Sequence, residues 1–397
     1  MEKVKTKGIV KKIVSKIACG LTICSLGVFC TASQLNKAET KDYVGNLKYQ
    51  ANIIEELNAN PNIMYGKDEE GNQVTTITQL KPNESKKIYV NVDKVEDERT
   101  KLNISKTLDV LNNTFSIIND NYYFETCNQK DYKKHVRKDE TTIEFSYADL
   151  NVSNQAKTAC YKKQYGRLFK NDGNEYINQA KIFLNSKTFN SLDDSKQLFI
   201  LKHELMHTLG FEDVYNKSVD KCSIMNMDSS NLETNYLSPN DLKMLYVAYG
   251  NKHINQDGTL NQEKVEYIKQ LMSKYEEKYY DILMKQVLDS FTLTTYKLDI
   301  NKINGKEFKY KKTYSIKYIG NGEFSYFDGK KFQTKKAIVK ENYALLPDVN
   351  IDGISNFFVV IKNLNCYLLY DSGIVTPNAS YSSIIIDENT NANVAER

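Results

Sequence analysis

Two of the four histidines, His203 and His207, stand four residues apart with Glu204 beside the first. On a helix that spacing puts both imidazoles on one face, where they can reach a single ion. Gly210 follows three residues after His207, and Asp213 three after that. A glycine there can take the left-handed conformation, end the helix and turn the chain back, so that Asp213 swings in as a third ligand. Two nitrogens and one carboxylate oxygen suit zinc, with the oxygen at about 2.0–2.2 Å and a fourth position for water. Ligand type alone also admits other first-row metals. Glu204 is then placed as general base, accepting a proton from zinc-bound water and passing it to a leaving amine. The expected chemistry is peptide-bond hydrolysis without a covalent intermediate. Glu212, or a distant carboxylate such as Glu233, is the alternative third ligand, and Gly210 favours Asp213 because it turns the chain at once.

The elements that must hold these residues are legible in the hydrophobic pattern. A helix is expected through Leu198, Leu201 and Leu205 to Leu209, started by Ser191 with Asp194 as a capping box and stopped at Gly210. Before it, Ile88–Val92, Tyr122–Thr126, Thr141–Tyr147 and Ala180–Leu184 read as strands, the last after a long Tyr- and Lys-rich loop. Glu96 to Ile118 reads as an amphipathic helix with Leu102, Ile104, Leu108, Leu111 and Phe115 near one face. Ser238-Pro239 is a good helix start for a run to Tyr249. Asn261 to Ser290 carries Val265, Ile268, Met272, Tyr275, Tyr279, Ile282 and Gln286 at three- and four-residue steps, the pattern of a long packing helix. After Phe291 short alternating runs are separated by Asn304-Gly305, Asn321-Gly322 and Asp328-Gly329, which are hairpin signals.

Length and composition frame this reading. The 397 residues, 41% hydrophobic and 26% charged, suit a globular protein of two or three units. Lysines 3, 5, 7, 11, 12 and 16 precede an uncharged apolar run from Ile17 to Ala32, the layout of a signal peptide with cleavage expected near Ala32-Ser33. The run is shorter than the roughly 20 residues of a comfortable membrane span. Export to the extracellular side is expected, with an uncleaved anchor at the outer face of the membrane as the alternative. Six lysines and one glutamate lie in this segment, so its removal takes the formal charge from +4 to 4 − 5 = −1. No concentrated basic stripe marks the remainder, and a nucleic-acid partner is not expected. Cys127, Cys160, Cys222 and Cys366 remain; Cys127 to Cys160 is the favoured disulfide, with free buried thiols as the alternative.

His203 to Asp213 has the form H-E-x-x-H-x-x-G-x-x-D and resembles the metzincin metallopeptidases, in the variant where aspartate replaces the third histidine, as in the snapalysin-like group. Ser223-Ile224-Met225-Asn226 is similar to the Met-turn of that clan, and Leu237–Asp241 with Leu245-Tyr246 and Tyr249-Gly250 is similar to the third helix of matrixin-like domains. The resemblance spans about residues 86 to 250. It implies an α+β catalytic domain with a twisted mixed sheet and an active-site helix, Met225 beneath the metal, and a peptide substrate extended along an edge strand, for which Ala180–Leu184 is the candidate. Met227 stands where many metzincins have a tyrosine, and no cysteine lies between Ser33 and Thr126 to keep the enzyme latent. The expected organisation is a signal peptide (1–32), a possible propeptide or N-terminal extension (33–85), the catalytic domain (86–250), a linker helix (251–290) and a β-rich C-terminal domain (291–397).

Asp348, Asn350, Asp352 and Asn356, with glycine at position six of the run, match the first part of a calcium loop, while Val359 at position twelve contradicts an EF-hand. A simple Asp-Gly turn between two strands is the other reading. The function expected is a secreted zinc endopeptidase acting on protein or peptide, with no stable membrane insertion after signal cleavage. The alternatives are an extracellular binding or adhesion protein with a vestigial zinc domain, and a zinc amidase. The retained Glu204 argues against a vestigial site.

Overall fold

The computed structural model describes residues 57, 65–67, 73–75, 77–164, 175–213, 223–225, 237–250, 261–290, 295–310, 314–351, 354–364, 366–371 and 381–385. The segment expected to be a signal peptide (1–32), Cys222, Met227, Glu233 and Asp352 lie outside them, as do the side chains of Asp348 and Asn356. The chain is a mixed α/β protein with a β-rich C-terminal region, and it forms two compact units: Met1–Glu212 with Leu242–Met272, and Asp213–Asp241 with Ser273–Arg397.

In the first unit a short hairpin of β1 (Tyr65–Lys67) and β2 (Gln73–Thr75) precedes a five-stranded mixed sheet. Its strands are β3 (Lys87–Lys94), β4 (Tyr123–Cys127), β5 (Thr142–Ala148), β6 (Ala156–Gln164) and β7 (Glu175–Asn185). The order is β4-β3-β5-β7-β6, with β6 alone antiparallel to its neighbour. The expected edge strand is therefore corrected. Ala180–Leu184 lies in β7, paired on both sides, and the edge strand beside it is β6, which the sequence presents as loop because lysines and small residues replace the usual alternation. Lysine is a common guard of an exposed sheet edge.

Helix α1 (Glu98–Ile118) packs on the sheet and against α3 (Asp194–Thr208). Its buried stripe is Ile104, Leu108, Leu111 and Phe115. Leu102, 55% exposed, is not part of it, because two residues before Ile104 is about 200° around the helix. Helix α2 (Gln129–Arg137) covers the polar sheet face, where the His135 ring stacks on Tyr89 with centroids 3.4 Å apart. The cap of α3 is Asp193, whose side chain accepts from Lys196 N, whereas Ser191 ends a short 3-10 turn, Phe189–Ser191.

Cys127 and Cys366 are free thiols. Cys127 ends β4 at one sheet edge and Cys160 sits in β6 at the other, four strand spacings or roughly 19 Å away. A disulfide needs Cα atoms within about 7 Å, so the favoured pairing is ruled out by topology. Burial raises the Cys127 thiol to about 11.

Helix α4 (Pro239–Tyr249) starts as expected, with Ser238 Oγ accepting from Asp241 N at 3.1 Å. Helix α5 (Gln262–Ser290) is capped by Asn261, whose Oδ1 accepts from Lys264 N at 3.0 Å. In the second unit β8 (Glu307–Tyr310), β9 (Tyr314–Gly320), β10 (Glu323–Phe327) and β11 (Phe332–Lys336) form one antiparallel sheet. A second contains β12 (Ile338–Val339), β13 (Tyr343–Ile351), β14 (Ile354–Asn363), β15 (Cys366–Asp371) and β16 (Tyr381–Ile385).

Asn321 and Gly322, both at positive φ, make the tight turn from β9 to β10. Asn304-Gly305 is not a hairpin: it joins the 3-10 turn Ile300–Ile303 to β8. The calcium-loop candidate is the β13–β14 hairpin, paired in register up to Ile351 and Ile354. Among the described residues no helix is long and apolar enough to cross a membrane.

Candidate metal centre

Helix α3 positions the site because its other faces are locked. Leu201, Leu205 and Met206 are fully buried, which fixes its rotation. One ligand atom each of His203, His207 and Asp213 lies within 4.8 Å of the other two. The two Nε2 atoms are 3.1 Å apart. A tetrahedral ion holding two nitrogens at about 2.0–2.1 Å would set them roughly 3.3 Å apart, so the imidazoles already stand at a chelating separation. Glu212, the alternative ligand next to Asp213, is exposed and outside the cluster.

The end of α3 explains the position of Asp213. Gly210 has φ +88° and donates to His207 O at 3.0 Å, while Phe211 N donates to Met206 O at 3.3 Å. This pair of bonds is a Schellman motif, which requires the left-handed residue that glycine supplies. The motif turns the Phe211 carbonyl back onto the helix, where it accepts from His207 Nδ1 at 2.8 Å. A carbonyl can only accept, so Nδ1 carries the proton and the Nε2 lone pair faces His203 and Asp213. Such a backbone partner orients many metal-binding imidazoles. Two residues later the chain delivers Asp213.

Gly210 is needed for space as well. A Cβ there would stand 2.2 Å from the carbonyl oxygen of Thr78. The Thr78 segment is itself tied into the unit: Lys81 N donates to Ile177 O, and Ile177 N to Gln79 O, each at 2.9 Å. Tyr249 closes the same end, its hydroxyl donating to Leu209 O at 2.7 Å and accepting from Leu80 N at 2.8 Å.

Glu204, 6% exposed, points to the edge strand. Thr158 Oγ1 of β6 donates to Glu204 Oε2 at 2.5 Å and lies 3.1 Å from the Glu204 carbonyl oxygen. Cys160, two residues on, sets Sγ 3.4 Å from His207 O. The edge strand thus grips α3 at the glutamate and at the second histidine.

In the second unit Met225 is buried and its turn is anchored by Asp241. That carboxylate accepts from Ser223 Oγ at 2.6 Å, Ile224 N at 2.9 Å, Ser238 Oγ at 2.9 Å and Ser238 N at 3.2 Å. Burial pushes the Asp241 carboxyl above its usual range, and these hydrogen bonds oppose the shift.

The structure therefore gathers His203, His207 and Asp213, with Glu204 on the same helix. Three participants escaped the sequence reading. Thr158 lay in a segment without strand periodicity, and the Phe211 group is a backbone carbonyl. Asp241 is visible in sequence as a cap, but its reach to Ser223 crosses seventeen intervening residues. Compared with models of protein families the chain matches none, and no curated protein matches it.

Proposed function

We propose that the chain is a zinc-dependent endopeptidase of the metzincin kind, with His203, His207 and Asp213 as metal ligands and Glu204 as general base. The carrying observation is the chelating arrangement of the two imidazoles with Asp213 at the end of a helix that also presents Glu204. The mixed sheet, the active-site helix and the anchored Met225 turn support the same reading.

Zinc, when bound, supplies Lewis-acid polarisation of a carbonyl and makes water more acidic. Glu204 takes a proton from water and delivers it to the leaving amine. Thr158, by holding Oε2, fixes the carboxylate rotamer and leaves Oε1 to receive that proton. The Phe211 carbonyl holds His207 in the tautomer that presents Nε2. Among the described residues β6 is the last strand on its side of the sheet, so an extended peptide substrate would add beside β6 and not beside β7.

Purified chain should carry about one zinc and cleave a mixed peptide library, with cleavage lost in chelator. Glu204→Ala should keep the zinc and lose about 10²–10⁴-fold in rate. If zinc is held but wild type and Glu204→Ala are equally inert, the endopeptidase reading is wrong. Asp213→Ala should lower zinc content sharply while Glu233→Ala leaves it unchanged; the reverse would move the third ligand.

A further inference from the structure

The last turn of α3 depends on one peptide unit, that between Leu209 and Gly210. Its N–H donates to His207 O at 3.0 Å, and its carbonyl accepts from the Tyr249 hydroxyl at 2.7 Å. The unit turns about the ψ of Leu209 and the φ of Gly210, and glycine restricts the second very little. Two further bonds need it to keep its orientation: Phe211 N to Met206 O, and His207 Nδ1 to Phe211 O. A rotated unit would release the carbonyl that holds the His207 ring and would move the chain that leads to Asp213.

Tyr249 reaches that carbonyl from a fixed place. It is the last residue of α4, and Asn119 Nδ2 donates to its backbone carbonyl at 2.6 Å. Its buried ring meets Phe115 and Tyr122 with centroids 5.6 and 5.2 Å apart. Packing therefore sets the hydroxyl before it bonds anything. The hydroxyl oxygen accepts from Leu80 N at 2.8 Å, which leaves its proton for Leu209 O. Leu80 is fully buried and bridges to Ile177 of β7, so the far side of the hydroxyl rests on the sheet.

On the reading that His203, His207 and Asp213 hold zinc, we propose that Tyr249 is a positioning residue of the metal centre. Its hydroxyl locks the peptide unit between Leu209 and Gly210, so that His207 keeps the tautomer that presents Nε2 and Asp213 keeps its place. Tyr122 supplies the contrast. Its hydroxyl donates to Leu80 O at 2.9 Å, on the same residue and from the same aromatic cluster, but that bond ends on the N-terminal segment and not on α3. Losing an outer hydrogen-bond partner of a metal ligand weakens metal binding about 10–100-fold, and Tyr249, acting through the backbone, belongs at the lower end.

Zinc affinity of the full chain, measured by competition with a chromophoric chelator, tests it alongside thermal unfolding of the metal-free protein. Tyr249→Phe keeps the ring and removes the hydroxyl, and should bind zinc about tenfold more weakly. Tyr122→Phe should also lower the thermal midpoint, because a buried carbonyl loses its donor, yet keep wild-type zinc affinity. Asn119→Ala loosens Tyr249 from its backbone side with the hydroxyl in place. It carries the test if Tyr249→Phe does not fold, and should weaken zinc binding by less than tenfold. Wild-type zinc affinity in Tyr249→Phe or in Asn119→Ala overturns the proposal, as do equal losses in Tyr249→Phe and Tyr122→Phe. A wild-type chain that binds no zinc would remove the metal centre itself.

Discussion

Strands β13–β15 bury both of their faces. Ala344, Leu346, Phe358, Val360 and Leu369 belong to the core shared with β8–β11, while Leu345, Val359, Ile361, Leu368 and Tyr370 pack with Tyr279, Leu283 and Met284 of α5. The sheet of the first unit buries one apolar face, including Ile88, Val90, Ile143, Phe145, Ile182 and Leu184. Its other face carries Glu144, buried and ion-paired with Lys94 at 2.9 Å, and its edge strand carries Thr158 against Glu204. A strand covered on both sides has no place for a polar group without a partner, so it can only support. In the proposed function an edge strand with one side in contact with a helix holds the Glu204 carboxylate and leaves its outer side to substrate. The difference predicts that substitutions in β13–β15 act on stability and those in β6 on chemistry.

The largest expected effect is on the doubly covered sheet. Phe358→Ala should destabilise the chain by about 3–5 kcal/mol in urea unfolding, while protein still folded keeps its zinc content. Loss of zinc from the folded variant would break the division between the two sheets.

Next come two glycines with the same backbone requirement. Gly210 and Gly305 both have positive φ, but a Cβ at Gly305 meets nothing within 4 Å. Gly305→Ala should cost about 1–2 kcal/mol for the left-handed conformation alone. Gly210→Ala should cost about 2–4 kcal/mol, because the Thr78 carbonyl must also move, and zinc content should fall with it. Equal costs for the two would mean that the Thr78 contact contributes nothing.

The smallest change in stability belongs to the edge strand. Thr158→Val should lose about 1 kcal/mol or less and yet lower kcat about tenfold at little-changed KM and zinc content. Thr158→Ser, which keeps the hydroxyl, should restore kcat. A Thr158→Val protein with wild-type kcat would remove Thr158 from the positioning of Glu204.

Local rules carried much of the fold and most of the proposed site. The helix through His203 and His207, its stop at Gly210, the cap Ser238 and the Asn321-Gly322 turn all follow from neighbours within four residues, where propensity and capping act directly. The proximity of Asp213 was legible for the same reason, since a Schellman turn reverses the chain within a few residues. Pairing partners are not local. Nothing near Ala156–Gln164 marks it as the edge strand, because its lysines satisfy water as well in a loop as on a sheet edge. Only packing against α3 and β7 makes it a strand and brings Thr158 to Glu204. The Cys127–Cys160 pairing failed for the same reason: nearness in the chain says nothing of the three strands that lie between them in the sheet.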